Sequence, residues 1–213
     1  MANTFYIARH GQTNWNILGK TQGHGNSDLT DKGKEQAQQL AYALKEYPID
    51  LIFTSDLGRA IETAQIIGKE IDVKVEETNA LREMGFGAWE GLLIDEIKKD
   101  YSNAYDTWRN EPHLVDIPGG ETLHIIKERV DNFIKELNDK YDNKHILLVS
   151  HTITVRVMLL SFLNSGVENI YRIKQDNTAL NIVEFRNYGP VIHKLNDTSH
   201  IKNNVKINNS ALE

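Results

Sequence analysis

The chain has 213 residues, of which 40% are apolar, a formal net charge of −6 and no cysteine. That length suits one α/β domain with a sizeable core, and the acidic balance without a long basic run argues against nucleic acid as the main partner. The lack of cysteine excludes disulfides, thiolate nucleophiles and Cys-type zinc sites, and no apolar run approaches the roughly 20 residues of a membrane span.

The N-terminus carries no basic-then-apolar leader pattern, so a soluble, cytoplasmic protein is expected. Phe5 to Ala8 reads as a short buried strand, followed at once by Arg9-His10-Gly11. Gln12 to Leu29 is a polar loop with Gly19, Gly23 and Gly25, too long for a plain connector. Thr30 predicts the N-cap of a helix over Asp31 to Tyr47, with Ala37, Leu40, Ala41 and Leu44 on its apolar face and Pro48 as its stop. Ile49 to Phe53 is the second strand, ending at Thr54-Ser55-Asp56. A helix from about Leu57 to Glu70 turns Ala60, Ala64 and Ile67 inward. Val73 to Glu76 reads as a third short strand. Leu81 to Gly91 mixes glycine and aromatic residues without periodicity, and a helical stretch rich in Tyr and Trp runs from about Ile94 to Trp108.

Pro112 and Pro118-Gly119-Gly120 then break the chain. Thr122 to about Tyr141 is a long amphipathic helix, and His145 to Val149 is the clearest buried strand, ending in Ser150-His151. A largely apolar helix covers about Thr152 to Leu163. Leu180 to Phe185 and Val191 to Leu195 read as a hairpin turning at Asn187 to Pro190. Residues 1–200 are read as a single domain with a covering segment at about 86–121. Residues 201–213 read as a polar tail whose last residues, Leu212-Glu213, receive no functional weight.

Alternating strands and helices predict a three-layer α/β/α sandwich with a mostly parallel central sheet and an antiparallel edge from the C-terminal hairpin. Ligands of such sheets bind beyond the carboxyl ends of the strands. Three strand ends therefore bring Arg9, His10, Arg59 and His151 to one rim. With a net negative chain, an anionic substrate needs such a local cluster. Guanidinium forks match phosphate oxygens, and the helices opening near Leu57 and at Thr152 add backbone N–H groups. A neutral histidine there can attack phosphorus, and neighbouring arginines favour its neutral form. The leaving alkoxide needs a proton. Glu83 is the best candidate to supply it, with Glu90 and Glu121 competing. A metal site built on His10, His151 and a carboxylate is disfavoured, because the two arginines would repel the cation. Trp15, Trp89 and Trp108 read as packing residues, His24, His113 and His124 as solvated or local, and Arg156 as a buried partner of a carboxylate.

Arg9-His10-Gly11 resembles the signature of the histidine phosphatase, or phosphoglycerate mutase-like, superfamily. Four further stretches follow in matching order. Thr13-Asn14-Trp15-Asn16 with Gln22-Gly23 resembles its following loop, and Ser55 to Ala60 with Thr63-Ala64 its second-arginine motif. Leu81-Arg82-Glu83 with Gly87 to Gly91 resembles its acid motif, and Val149-Ser150-His151 with Arg156 its second-histidine motif. The resemblance implies that His10 is the phosphorylated nucleophile, and that Arg9, Arg59 and His151 hold the phosphoryl oxygens. It implies that Glu83 protonates the leaving group and later activates water. It places Asn16, Gln22, Gly23 and Thr152 as pocket contacts, and it implies no metal and no cofactor.

Pro118-Gly119-Gly120-Glu121-Thr122 is similar to an element of the broad-specificity, alpha-ribazole phosphatase-like branch. That branch implies a phosphatase acting on a small-molecule phosphate ester. The alternatives are a cofactor-dependent phosphoglycerate mutase and a non-catalytic phospholigand-binding protein. A mutase grips a second phosphate with extra basic residues, whereas Lys98 to Glu121 offers only Lys98, Lys99, Arg109 and His113. One departure is Thr152-Ile153-Thr154 after His151, where many family phosphatases have glycine. Specificity is expected in Gln12–Leu29, Phe86–Trp108 and Asn110–Glu121. The oligomeric state, monomer or homodimer, is not readable from the sequence.

Overall fold

In the computed structural model, which describes residues 2–202, six strands form one sheet. They are β1 (Thr4–Arg9), β2 (Leu51–Ser55), β3 (Val75–Thr78), β4 (His145–Ser150), β5 (Leu180–Arg186) and β6 (Gly189–Asp197), in the order β3-β2-β4-β1-β5-β6. β3, β2, β4 and β1 pair in parallel, while β5 runs antiparallel to β1 and β6 antiparallel to β5. This is the expected mostly parallel sheet with an antiparallel hairpin at its edge. Most of the expected tail, and Met1, lie outside the described residues.

The three inner parallel strands, β1, β2 and β4, are buried on both faces, which is why they read as largely apolar runs, while the edge strand β3 is partly exposed. Phe5, Ile7, Phe53, Ile146 and Leu148 pack with α6 (Leu123–Lys140) and α7 (Thr152–Phe162). Their neighbours Tyr6, Ala8, Ile52, Leu147 and Val149 pack with α2 (Asp31–Leu44) and α3 (Gly58–Ile71). Strand alternation thus divides one set of residues between two cores. Register decides what this does for function. Arg9 lies beside Ser150 and Thr54 beside Val149, so β1, β2 and β4 end level at one sheet edge.

Several boundaries differ from the sequence reading. The helix after Thr30 ends at Leu44, three residues short of Tyr47. The intervening turn lets Tyr47 pack edge-on against Tyr6, at 5.1 Å between ring centroids. The long loop contains a short helix, α1 (Asn14–Leu18), started by a Thr13–Asn16 capping box. Five residues are too few to show a period, so propensity and spacing missed it. The stretch Ile94 to Trp108 is two helices, α4 (Ile94–Asp100) and α5 (Ser102–Asn110), separated at Tyr101. The loop after β1 is closed at its base, where Thr30 N donates to Gln12 O at 2.9 Å. There the backbones of Gly11 and Gly33 touch. A Cβ on Gly33 would lie 2.1 Å from Gln12 O, and one on Gly11 would lie 2.4 Å from Gly33 O. Among the described residues, no helix is long and apolar enough to cross a membrane.

Candidate active site

The level strand ends open into a cleft of about 520 Å³, part of it open to solvent. Arg9, His10, Asn16, Gln22, Gly23, Arg59, Glu83 and Thr152 all line it. His151 lies directly behind His10, with 5.1 Å between ring centroids.

His10 leaves β1 with its backbone N–H on Ser150 O and its ring Nδ1 2.7 Å from Gly11 O. A carbonyl can only accept, so Nδ1 carries the proton and Nε2 keeps its lone pair. The residue is 2% exposed. Burial and the adjacent Arg59 and Arg9 charges hold its pKa well below the ordinary imidazole value, against a small opposing effect of the Gly11 bond. The ring is therefore neutral and in the nucleophilic tautomer at physiological pH.

Arg59 sits in the first turn of α3 and is almost wholly buried. Its guanidinium donates to Gly25 O at 2.8 Å, to Gly23 O at 2.7 Å and to His151 Nδ1 at 3.2 Å. Burial pulls its pKa down to about 10, with the Glu83 charge opposing. Arg9 donates to Gln175 O at 2.6 Å. Because His151 accepts from Arg59 at Nδ1, its proton is on Nε2, which donates to Ser55 Oγ at 2.8 Å. Burial, then Arg59, keeps His151 well below the ordinary imidazole value too.

Glu83 lies in the irregular stretch before α4 and is 7% exposed. Its carboxylate accepts from Met84 N at 3.0 Å and from Ile153 N and Thr154 N at 3.2 Å each. Thr154 Oγ1 adds a fourth contact at 3.3 Å. The acid therefore caps the first turn of α7, taking up N–H groups that have no partner within the helix. This gives the Thr152-Ile153-Thr154 departure a use: two of these amides hold the acid, and the Thr154 hydroxyl donates to Arg82 O at 2.7 Å in the same segment. The competing carboxylates are committed elsewhere. Glu90 accepts from His24 N and Phe86 N, and Glu121 from Gly85 N and Arg129. Neither lines the cleft, whereas Glu83 does.

Asn16 Oδ1 receives Thr13 N at 3.0 Å, and the Thr13 hydroxyl lies 3.1 Å from Asn16 Oδ1 and 3.0 Å from Gln22 Oε1. One threonine thus orients both pocket amides. Sequence reasoning gave no role to the segment before β5. There Asn177 Nδ2 donates to His10 O at 3.1 Å and Thr178 N to Arg9 O at 3.1 Å. Asp176-Asn177-Thr178, polar residues ahead of an apolar strand, were the signal available. Thr63, quoted in the second-arginine motif without a role, accepts Gly11 N at 3.1 Å and donates to Arg59 O at 2.7 Å. Trp89 and Trp108 are fully buried, as expected, but Trp15 lines the cleft with Lys20 and Phe86. His24, expected to be solvated or local, contacts Glu83 O and Glu121. Among the described residues, no group of three or more His, Asp or Glu side chains is placed to hold a metal ion.

Two buried arginines stand around two neutral histidines at the carboxyl edge of the parallel sheet, a donor set whose chemistry suits an oxyanion. The chain belongs to the histidine phosphatase superfamily (branch 1), whose family model matches residues 5–198. It is 32% identical over 195 residues to phosphoserine phosphatase 1 of Hydrogenobacter thermophilus, covering 92% of each chain. It is also 32% identical over 205 residues to a protein of Escherichia coli named probable phosphoglycerate mutase GpmB, covering 92% of this chain and 94% of that one. Among solved structures, a phosphoserine phosphatase mutant from Entamoeba histolytica in complex with phosphoserine superimposes with a TM-score of 0.85 at 29% identity. That match covers 94% of this chain and all of the other.

Proposed function

We propose that the protein is a phosphomonoesterase that hydrolyses small phosphate esters through a phosphohistidine on His10. The observation that carries this reading is the His10 tautomer, which leaves a neutral Nε2 in a cleft walled by Arg9 and Arg59. In the first step Nε2 bonds to phosphorus as the P–O bond to the leaving alcohol breaks, and Glu83 gives that oxygen its proton. Arg9 and Arg59 stabilise the charge on the transferring phosphoryl oxygens, His151 acts on them by orienting the Arg59 guanidinium that donates to its Nδ1, and Asn16, Gln22, Gly23 and Thr152 shape the rest of the seat. In the second step water attacks phosphorus, Glu83 takes its proton, and the N–P bond breaks to return His10 and free phosphate.

The cleft lining, with Arg9, Arg59, Asn16 and Gln22 converging beside His10, suits a small anionic ester. The relatives' names support the same class, since one is a phosphoserine phosphatase and one structure holds phosphoserine. The mutase reading needs cations for a second phosphate. Beyond Arg9 and Arg59 the cleft lining holds one more cation, Lys20, which lies over the Trp15 ring at 5.8 Å; Lys98 pairs with Asp95, Arg109 stacks on Tyr171 at 4.7 Å, and neither they nor Lys99 and His113 line the cleft. The reading is tested by free phosphate released from p-nitrophenyl phosphate and a panel of metabolite phosphates, with EDTA present. Turnover is expected in the wild type and abolished in a folded His10→Ala variant. An unchanged rate in that variant would sink the mechanism. Isomerisation of 3-phosphoglycerate dependent on a bisphosphate primer, without phosphate release, would replace it with the mutase.

A further inference from the structure

His24 lies outside the cleft, yet it joins the two parts of the site that must act together. Its residue neighbours Gly23 and Gly25 offer the two carbonyls that hold the Arg59 guanidinium. Its own ring crosses to the acid segment, with Nε2 2.9 Å from Glu83 O. Since that carbonyl can only accept, Nε2 carries a proton and donates it. The same nitrogen lies 3.6 Å from Glu121 Oε2, and the His24 backbone N–H donates to Glu90 at 2.9 Å. Glu121 is fixed in turn by Gly85 N at 2.8 Å and Arg129 at 2.6 Å. Arg129 also donates to Arg82 O at 2.8 Å. Both peptides of the acid segment are thus gripped by cationic or N–H donors organised on Glu121.

We propose that His24 is a positioning residue for the proton donor, tying the Glu83 peptide to the loop that seats Arg59. The proposal rests on the assignment of Glu83 as general acid. The guanidinium fixes where the phosphoryl group sits, and the Glu83 main chain fixes where the proton arrives. The two loops are already joined by Thr21 N to Leu92 O at 3.0 Å and Gly91 N to Thr21 O at 2.8 Å, and the His24 ring adds the contact that reaches the Glu83 carbonyl itself from this loop. General acid catalysis is steep in geometry, because the proton must reach the leaving oxygen as the P–O bond breaks. The electrostatics agree with a donor held in place. The Glu121 carboxylate raises the His24 pKa above the ordinary imidazole value, with Glu90 adding to it. Burial pushes the Glu121 carboxyl up, but hydrogen bonds from His24 and Gly85 N and the Arg129 charge outweigh this and hold it at about 2.

A donor-positioning role has a signature that a general packing role lacks. The leaving group p-nitrophenolate needs little protonation, whereas an alkoxide needs it fully. His24→Ala, His24→Gln and Glu83→Gln are compared on p-nitrophenyl phosphate and on an alkyl phosphate such as O-phosphoserine or glycerol phosphate, with KM and inhibition by inorganic phosphate measured for each. For His24→Ala we expect kcat on the alkyl ester to fall about tenfold, the loss on the aryl ester to be several-fold smaller, and phosphate inhibition to hold. His24→Gln keeps an N–H at the place of Nε2 and is expected to recover most of the alkyl activity. Equal losses on both esters, or no recovery with Gln, would overturn the proposal. If Glu83→Gln discriminates between the esters and His24→Ala does not, the His24 role alone falls. If Glu83→Gln does not discriminate either, the acid assignment falls and takes this one with it.

Discussion

At the scale of the residue, the site works by choosing tautomers. His10 and His151 are chemically alike and 5.1 Å apart, yet each is made neutral in the opposite form. Gly11 O takes the Nδ1 proton of His10, and Ser55 Oγ takes the Nε2 proton of His151. Burial and the arginines supply the neutrality, and the single acceptor supplies the tautomer. Ser55 should therefore matter without touching phosphate. Ser55→Ala leaves the fully buried His151 Nε2–H without its acceptor. Such a loss costs about 1–3 kcal/mol. The urea midpoint should fall accordingly, and inorganic phosphate should inhibit less well as His151 loses its fixed orientation. An unchanged inhibition constant would show that the Ser55 contact does not hold the ring.

At the scale of the element, α2 and α7 each feed the site through their first turn. Thr30 caps α2 by accepting Gly33 N at 3.0 Å, and Gly33 lets that turn lie against the backbone of Gly11 and Gln12. Gly33→Ala places a methyl group 2.1 Å from Gln12 O, where only backbone can move. Overpacking of this kind costs about 1–3 kcal/mol, and here the displaced carbonyl, Gln12 O, follows directly on the Gly11 carbonyl that fixes the His10 tautomer. Thermal denaturation should show the loss, and kcat should drop with it; a variant with normal melting and normal turnover would refute the close approach. The sequence made the Thr30 cap, the apolar faces of α2 and α3 and the strand ends legible, since each depends on local periodicity or capping chemistry. The four site residues at those ends were legible for the same reason. The roles of Thr63 and Asn177 and the His24–Glu121 contact were not, because they depend on which loops meet across the sheet edge, and Thr63 and Asn177 are 52 and 167 residues from the groups they hold. Trp15 was misread because the short helix α1, which carries it to the cleft, left no periodic trace.

At the scale of the whole molecule, a chain of net charge −6 buries two arginines beside two uncharged histidines. That arrangement links stability to pH in a defined direction. In the unfolded chain each histidine takes up a proton near pH 6.5. In the folded chain His10 and His151 stay neutral well below that value. The unfolded state therefore binds more protons as pH falls through 6.5, and folding stability must fall with it. His24 has the opposite sign, because its folded pKa is raised; its contribution is complete below the unfolded value and is lost only as pH rises through the folded one. Between pH 6.5 and 5.5 the buried pair should thus dominate, at about 1 kcal/mol for each histidine by integration of the proton linkage. Urea denaturation in a phosphate-free buffer should show a loss of about 2 kcal/mol across that window, and His10→Gln with His151→Gln should flatten most of it. A double variant with the wild-type slope would mean that both rings protonate in the folded state, and with that the neutral nucleophile would be lost. Phosphate at a hundredfold excess over its Kd for the proposed site should add about 2.7 kcal/mol to the wild type, an increment that Arg59→Ala should largely remove.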